Sequence, residues 1–196
     1  MEQSSKANTI AISALVPVMV GVNLVIGQLV SFLKLPLYLD SIGIIVTAVL
    51  AGPMWGALVG TLTAIIGGLV INPTLPWYVG TGFLIGVTAG LLARWKWFTR
   101  AWKVVVSGII IGLVAALASA PITAYLFGGI TFSGVDVITA FLRATGQSLI
   151  TAAFLSGIAS DPVDKVIASI IAWTVLRGLP RRVLVRYPSS SARVGT

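Results

Sequence analysis

Arg94-Trp95-Lys96-Trp97-Phe98-Thr99-Arg100-Ala101-Trp102-Lys103 puts four cations and four aromatic rings into one short turn between two long apolar runs. On one side lies Trp77–Ala93, on the other Val104–Phe127. In a soluble protein such a cluster would suggest nucleic acid or another anionic partner. This chain is 57% hydrophobic and only 9% charged over 196 residues, whereas a soluble domain carries about 25% charged residues. Too little polar surface exists to cover a water-facing globule, so the cluster marks a side of a membrane and no nucleic-acid partner is expected. Positive charge accumulates on the cytoplasmic face, and that rule turns the stretch into a topological anchor.

Outward from this anchor the same logic repeats. Lys6 precedes the first apolar run, Ala7–Leu33; Arg177 lies at the end of the last one, Pro162–Leu179, and Arg181, Arg182 and Arg186 follow it. Both ends and the 94–103 turn are therefore expected on the cytoplasmic side. Asp40, Asp136, Asp161 and Asp164 gather at the opposite helix ends. Between Lys6 and Arg94 stand four apolar runs, Ala7–Leu33, Ser41–Ala51, Met54–Ile71 and Trp77–Ala93, separated by Lys34-Leu35-Pro36, Gly52-Pro53 and Asn72–Pro76. After the turn come Val104–Phe127, which Pro121 should kink, a more polar stretch Val135–Gly157, and Pro162–Leu179. An even number of crossings must separate the two basic clusters, so Val135–Gly157 is expected not to cross. It reads as an outer-side or re-entrant helix, tolerated where it lines a cavity. The expectation is an all-α integral membrane protein: a six-helix transmembrane bundle with an additional non-spanning helix between helices five and six. Residues 1–188 form its single domain, and 189–196 are a polar tail expected to be disordered. The start, MEQSSKANT, lacks signal-peptide features, so the first run is expected to be a retained helix.

Small residues repeat every fourth position at Gly56, Gly60, Ala64 and Gly68, at Gly82, Gly86 and Gly90, and at Gly108, Gly112, Ala116 and Ala120. Such stripes let helix backbones approach closely in lipid; they speak of packing, not of substrate. Ala7, Ala11 and Ala14 share a face of the first helix, read either as internal packing or as a smooth docking surface for another membrane subunit.

Polar and aromatic groups collect at the outer ends. Asn23 and Gln28 lie in the outer half of the first helix, Tyr38 and Asp40 in the first outer loop, and Asn72, Trp77 and Tyr78 in the second. Arg143 and Gln147 belong to the non-spanning helix, and Asp161, Asp164 and Lys165 to the start of the last. Ionisable groups at membrane depth are costly and point to function, and a few convergent polar groups among aromatics suit a small-molecule pocket. Bland readings compete: Trp77 and Tyr78 as interfacial belt residues, and Asp161 and Asp164 as caps of the last helix. Asp164 and Lys165 are sequence neighbours, which do not face each other on a helix, so no ion pair is expected between them. Arg143, midway along an apolar segment, is expected to meet a carboxylate, a carbonyl or a ligand anion. The chain has no cysteine and no histidine. This removes thiol nucleophiles, CxxC metal sites and the commonest general base. With no P-loop either, no catalytic set, resident metal or cofactor is expected.

Several segments together resemble the S components, the substrate-binding membrane subunits, of energy-coupling factor (ECF) vitamin importers. They are Ala7-Asn8-Thr9-Ile10-Ala11, LPLYLDSIGIIVTAVLAGPMWGALVGTLTAIIGGLV (35–70), INPTLPWYVGTGFLIGVTAGLLAR (71–94) and SDPVDKVIASIIAWTVLRGLPRR (160–182). The resemblance implies a bacterial plasma-membrane subunit that binds a vitamin or vitamin precursor in an outer pocket, capped by the loops between helices one and two, three and four, and five and six. It implies docking on a transmembrane coupling subunit, ATP hydrolysis by two cytoplasmic ATPases of the assembly, and toppling of the S component to release substrate inward. On this chain Ala7 and Ala11, with Ala14, become docking residues, and Tyr38, Asp40, Asn72, Trp77, Tyr78, Arg143, Gln147, Asp161 and Asp164 pocket residues. Two other classes remain open: a ligand-sensing or scaffold subunit that moves nothing, and a small lipid-directed membrane enzyme, which the missing catalytic set disfavours.

Overall fold

Long apolar runs satisfy their backbone groups most simply as helices, and every regular element among the described residues is helical. The computed structural model describes residues 2–184 and Tyr187, with side chains described for 11–180, 183, 184 and 187. The expected tail, 189–196, lies outside the described residues, as do Arg186 and the side chains of Lys6, Ala7, Arg181 and Arg182. The helices are α1 (Glu2–Phe32), α2 (Ile42–Ala51), α3 (Pro53–Val70), α4 (Val79–Arg94), α5 (Ala101–Phe127), α6 (Asp136–Ala144), α7 (Leu149–Gly178) and α8 (Arg181–Leu184), with 3-10 turns at Leu75–Tyr78 and Trp97–Thr99.

Four stretches are long and apolar enough to cross a membrane: Ala11–Phe32, Pro53–Val70, Leu75–Arg94 and Ala101–Phe127. Size is distributed inside out relative to a soluble protein. Alanines 57, 89, 93, 115, 116, 120, 152, 153, 168 and 172 are buried, while Val25, Leu29, Phe32, Leu69, Val70 and Leu117 are exposed. Small residues inside and large apolar ones outside are what helix association in lipid requires.

Helix α2 is the exception that organises the rest. Its residues Ile42–Leu50 are all buried, enclosed by α1, α3, α4 and α7. It has 10 residues, so it is about 15 Å long, half of a hydrocarbon core of about 30 Å. A single residue, Gly52 at φ 109°, joins it to α3, a conformation that L side chains rarely adopt. At its other end, Gly43 lies against the Met19 carbonyl, midway along α1. The segment 33–41 therefore dips from the end of α1 down to mid-bundle before α2 begins.

The glycine stripes work at contacts between helices. A methyl group on Gly60 would come within 2.2 Å of the Gly82 carbonyl oxygen, and one on Gly86 within 2.2 Å of the Ala57 nitrogen. These contacts lock α3 antiparallel to α4. Gly108 and Gly112 do the same between α5 and α7, facing Val166 and Pro162. At the basic turn, Lys96 adopts φ 60° and Phe98 folds inward, fully buried beside Val104 and Leu176.

One expectation is corrected. Val135–Gly157 is not a single helix, and the last helix does not begin at Pro162. Helix α6 stops at Ala144, Gly146 turns the chain at φ 89°, and the Ser148 hydroxyl accepts from Thr151 N–H at 3.2 Å to start α7. Helix α7 then runs 30 residues straight past Pro162. Proline is favoured at a helix start, which made Pro162 look like one. Inside α7, Gly112 lets the α5 backbone come close to the backbone at Pro162, and packed neighbours make an interior proline tolerable. The short α6 and one long helix, α7, thus follow α5 before the C-terminal basic cluster.

Candidate functional site

A cavity of about 170 Å³ opens at the ends of α4 and α5 remote from the 94–103 turn. Three connections converge on it. The Asn72 amide donates to the Thr131 carbonyl at 3.1 Å, tying the α3–α4 connection to the α5–α6 connection. Gly134 lies against the Leu35 carbonyl, and Ser31 Oγ reaches the Phe132 carbonyl at 3.5 Å, tying α5–α6 to α1–α2. The α5–α6 connection is itself built on Asp136, whose carboxylate accepts from Thr131 N–H at 3.0 Å, from Thr131 Oγ at 2.7 Å and from Ser133 N–H at 3.2 Å. Phe132, at φ 61° and exposed, stands over the mouth.

Below the mouth, the polar groups divide into those that hold the fold and those left facing the space. Asn23, fully buried, accepts from Gly43 N–H at 2.7 Å and donates to Thr63 Oγ1 at 3.0 Å. It caps α2 from the side and satisfies one of the donors that a helix start leaves open. Asp164, also fully buried, accepts from the Tyr38 and Leu39 amides at 2.9 and 2.7 Å. These bonds hold Leu39 at φ 48° and pin the dipping segment to α7.

Lys165 pairs with Asp164 at 2.5 Å and with Asp40 at 3.4 Å, and its ammonium lies 5.7 Å from the Tyr38 ring centroid. The expectation that Asp164 and Lys165 would not pair is thus corrected. Their Cβ atoms do diverge, but a four-carbon lysine stem is long enough to fold back onto the neighbouring carboxylate. Nor are Asp161 and Asp164 end caps: α7 begins at Leu149, a full three turns earlier.

Of the residues expected at a pocket, Asn23, Gln28, Tyr38, Asp40, Asn72, Tyr78 and Asp161 line this cavity. Tyr78 is oriented by a 2.8 Å bond to Thr123 and by stacking on Phe127. Asp164 lies behind the lining, engaged in structure. Trp77 is 60% exposed and outside the lining. Arg143 and Gln147 are exposed around the end of α6 and also outside it. Arg143 does not lie midway along an apolar span: it sits exposed in the last turn of the short helix α6. Thr63, Thr81, Ser119, Thr131 and Ser133 line the cavity too. Sequence reading passed over them because a hydroxyl in an apolar run carries no periodic signal. Lys165 also lines it; its charge was visible but its reach was not.

At the far end of α1, Ala11 packs on the core and Ala14 is exposed. The Tyr187 hydroxyl reaches the Ala11 carbonyl at 3.5 Å. The Ala7 side chain lies outside the described residues.

No family model, curated protein or solved structure matches this chain.

Proposed function

We propose that this chain is the substrate-binding membrane subunit of an ECF-type importer, taking a vitamin or vitamin precursor from the outer side of a bacterial plasma membrane. One observation carries the reading: a cavity that opens at the end of the bundle away from the basic turn, beneath three interlocked connections. An apolar cavity with a few convergent polar groups is the usual form of a small-molecule site. In this reading the six crossings are α1, α2 with its dipping segment, α3, α4, α5 and α7. Both termini and the 94–103 turn are cytoplasmic, by the positive-inside rule, and α6 with the first turns of α7 lies over the outer mouth.

The energy for import would come from two cytoplasmic ATPases acting through a transmembrane coupling subunit. Ala7, Ala11 and Ala14 are the proposed docking face, and toppling of the subunit would deliver substrate inward. Membrane vesicles containing the chain with such partners should show uptake that depends on ATP and stops when the ATPases are inactivated. Ligand binding that never leads to uptake, with partners present, would instead favour a sensor or scaffold role.

A further inference from the structure

Burying a carboxylate without a partner is expensive, and the chain around it normally supplies a cation or several donors. Three carboxylates, Asp40, Asp161 and Asp164, cluster around a single ammonium, that of Lys165. Asp164 is fully compensated by Lys165 and two backbone amides. Asp40 shares the same ammonium at a longer distance. Asp161 is 96% buried and, among the described residues, receives a hydrogen bond only from Ser119 Oγ, at 3.4 Å. Lys165 is the one cation lining the cavity among the described residues, and its charge is already spent. A second observation is independent of this charge count. The Tyr38 and Tyr78 side chains line the same cavity, and aromatic ring faces attract cations.

We infer that the cavity takes an organic cation: a small ring-bearing molecule whose positively charged nitrogen sits between Asp161 and Asp40. The inference rests on the proposed binding role and narrows it to a substrate class. Apolar lining from Ile44, Ile85 and the Tyr78 ring favours an organic body over a bare ion. The volume of about 170 Å³ is below the roughly 300–1,000 Å³ typical of drug-sized ligands, so the occupant is small. An anionic ligand would meet uncompensated carboxylates, and like charges in a low-dielectric site repel strongly.

Benzylammonium, benzyl alcohol and benzoate share a ring and a similar size but differ in head-group charge. Titrated calorimetrically into the full chain purified in detergent, at one fixed sodium chloride concentration, benzylammonium should bind tighter than either of the others by roughly tenfold or more. Asp161→Asn should bring its affinity toward that of benzyl alcohol. Asp40→Asn, at a half-exposed carboxylate less exposed to folding defects, should do so in part. Equal or tighter binding of benzoate or benzyl alcohol overturns the cation assignment but leaves a ring-binding cavity, and with it the importer reading, standing. A preference for benzylammonium that survives both substitutions also overturns it. Absence of binding by all three overturns the assignment and the cavity's binding role together.

Discussion

Asp164 shows how one residue carries both structure and charge. Its two oxygens are used up by the Tyr38 and Leu39 amides and by Lys165, so it holds the dipping segment 33–41 and neutralises the buried Lys165 at once. Breaking a buried pair by removing one partner typically costs about 3–5 kcal/mol. Asp164→Ala should therefore lower the thermal midpoint in detergent by far more than Arg143→Ala, which alters an exposed side chain and should leave both stability and ligand binding unchanged. Asn23→Ala removes the side cap of α2 and leaves the Gly43 amide and the Thr63 hydroxyl without their partner. A loss of about 1–3 kcal/mol is expected, read as a lower unfolding midpoint. An unchanged midpoint would mean that water reaches α2's N-terminus.

At the scale of elements, the glycine stripes decide which helices can touch. Gly112 faces Pro162 with no space for a side chain, so Gly112→Val forces α5 away from α7. Overpacking of this kind costs about 1–3 kcal/mol or more. Gly80, in α4, has nothing near its missing Cβ, so Gly80→Ala should be neutral or stabilising by about 0.5–1 kcal/mol through helix propensity. Comparing the two midpoints separates contact from propensity. Helix α2 depends on neighbours in another way. A helix of 10 residues is marginal in isolation, and its entire surface is covered by α1, α3, α4 and α7. Its short length places its N-terminus, and hence Asp40, at mid-bundle rather than at the rim.

For the molecule as a whole, the basic turn and the α6–α7 turn should lie on opposite sides of the membrane. The chain contains no cysteine, so single introduced thiols report topology without background. Thr99→Cys should react with an impermeant maleimide only after the cells are permeabilised, whereas Thr145→Cys, at the exposed turn after α6, should react in intact cells. Labelling of both from the same side would break the charge-parity argument for the topology. The arrangement also separates the ends of the bundle by task. The α4–α5 end carries the basic turn with Phe98 buried beneath it in the core, and the other end carries the cavity with its interlocked connections.

Much of this was legible along the chain because its cause is local. Apolar run length, glycine spacing and the placement of cations are properties of consecutive residues, and lipid acts on each of them separately. They determined that the protein is helical and suited to a membrane, where most helices begin and end, and that Asn23, Gln28, Tyr38, Asp40, Asn72, Tyr78 and Asp161 would collect near one end. Tertiary structure alone decided the rest. Pro162 continues a helix because α5, far away in sequence, packs closely against it at Gly112. Lys165 pairs with Asp40 because a short α2 draws that residue down to the level of α7. Arg143 is exposed and Asp164 fully buried because burial is set by neighbours, and no neighbour is written at the residue itself.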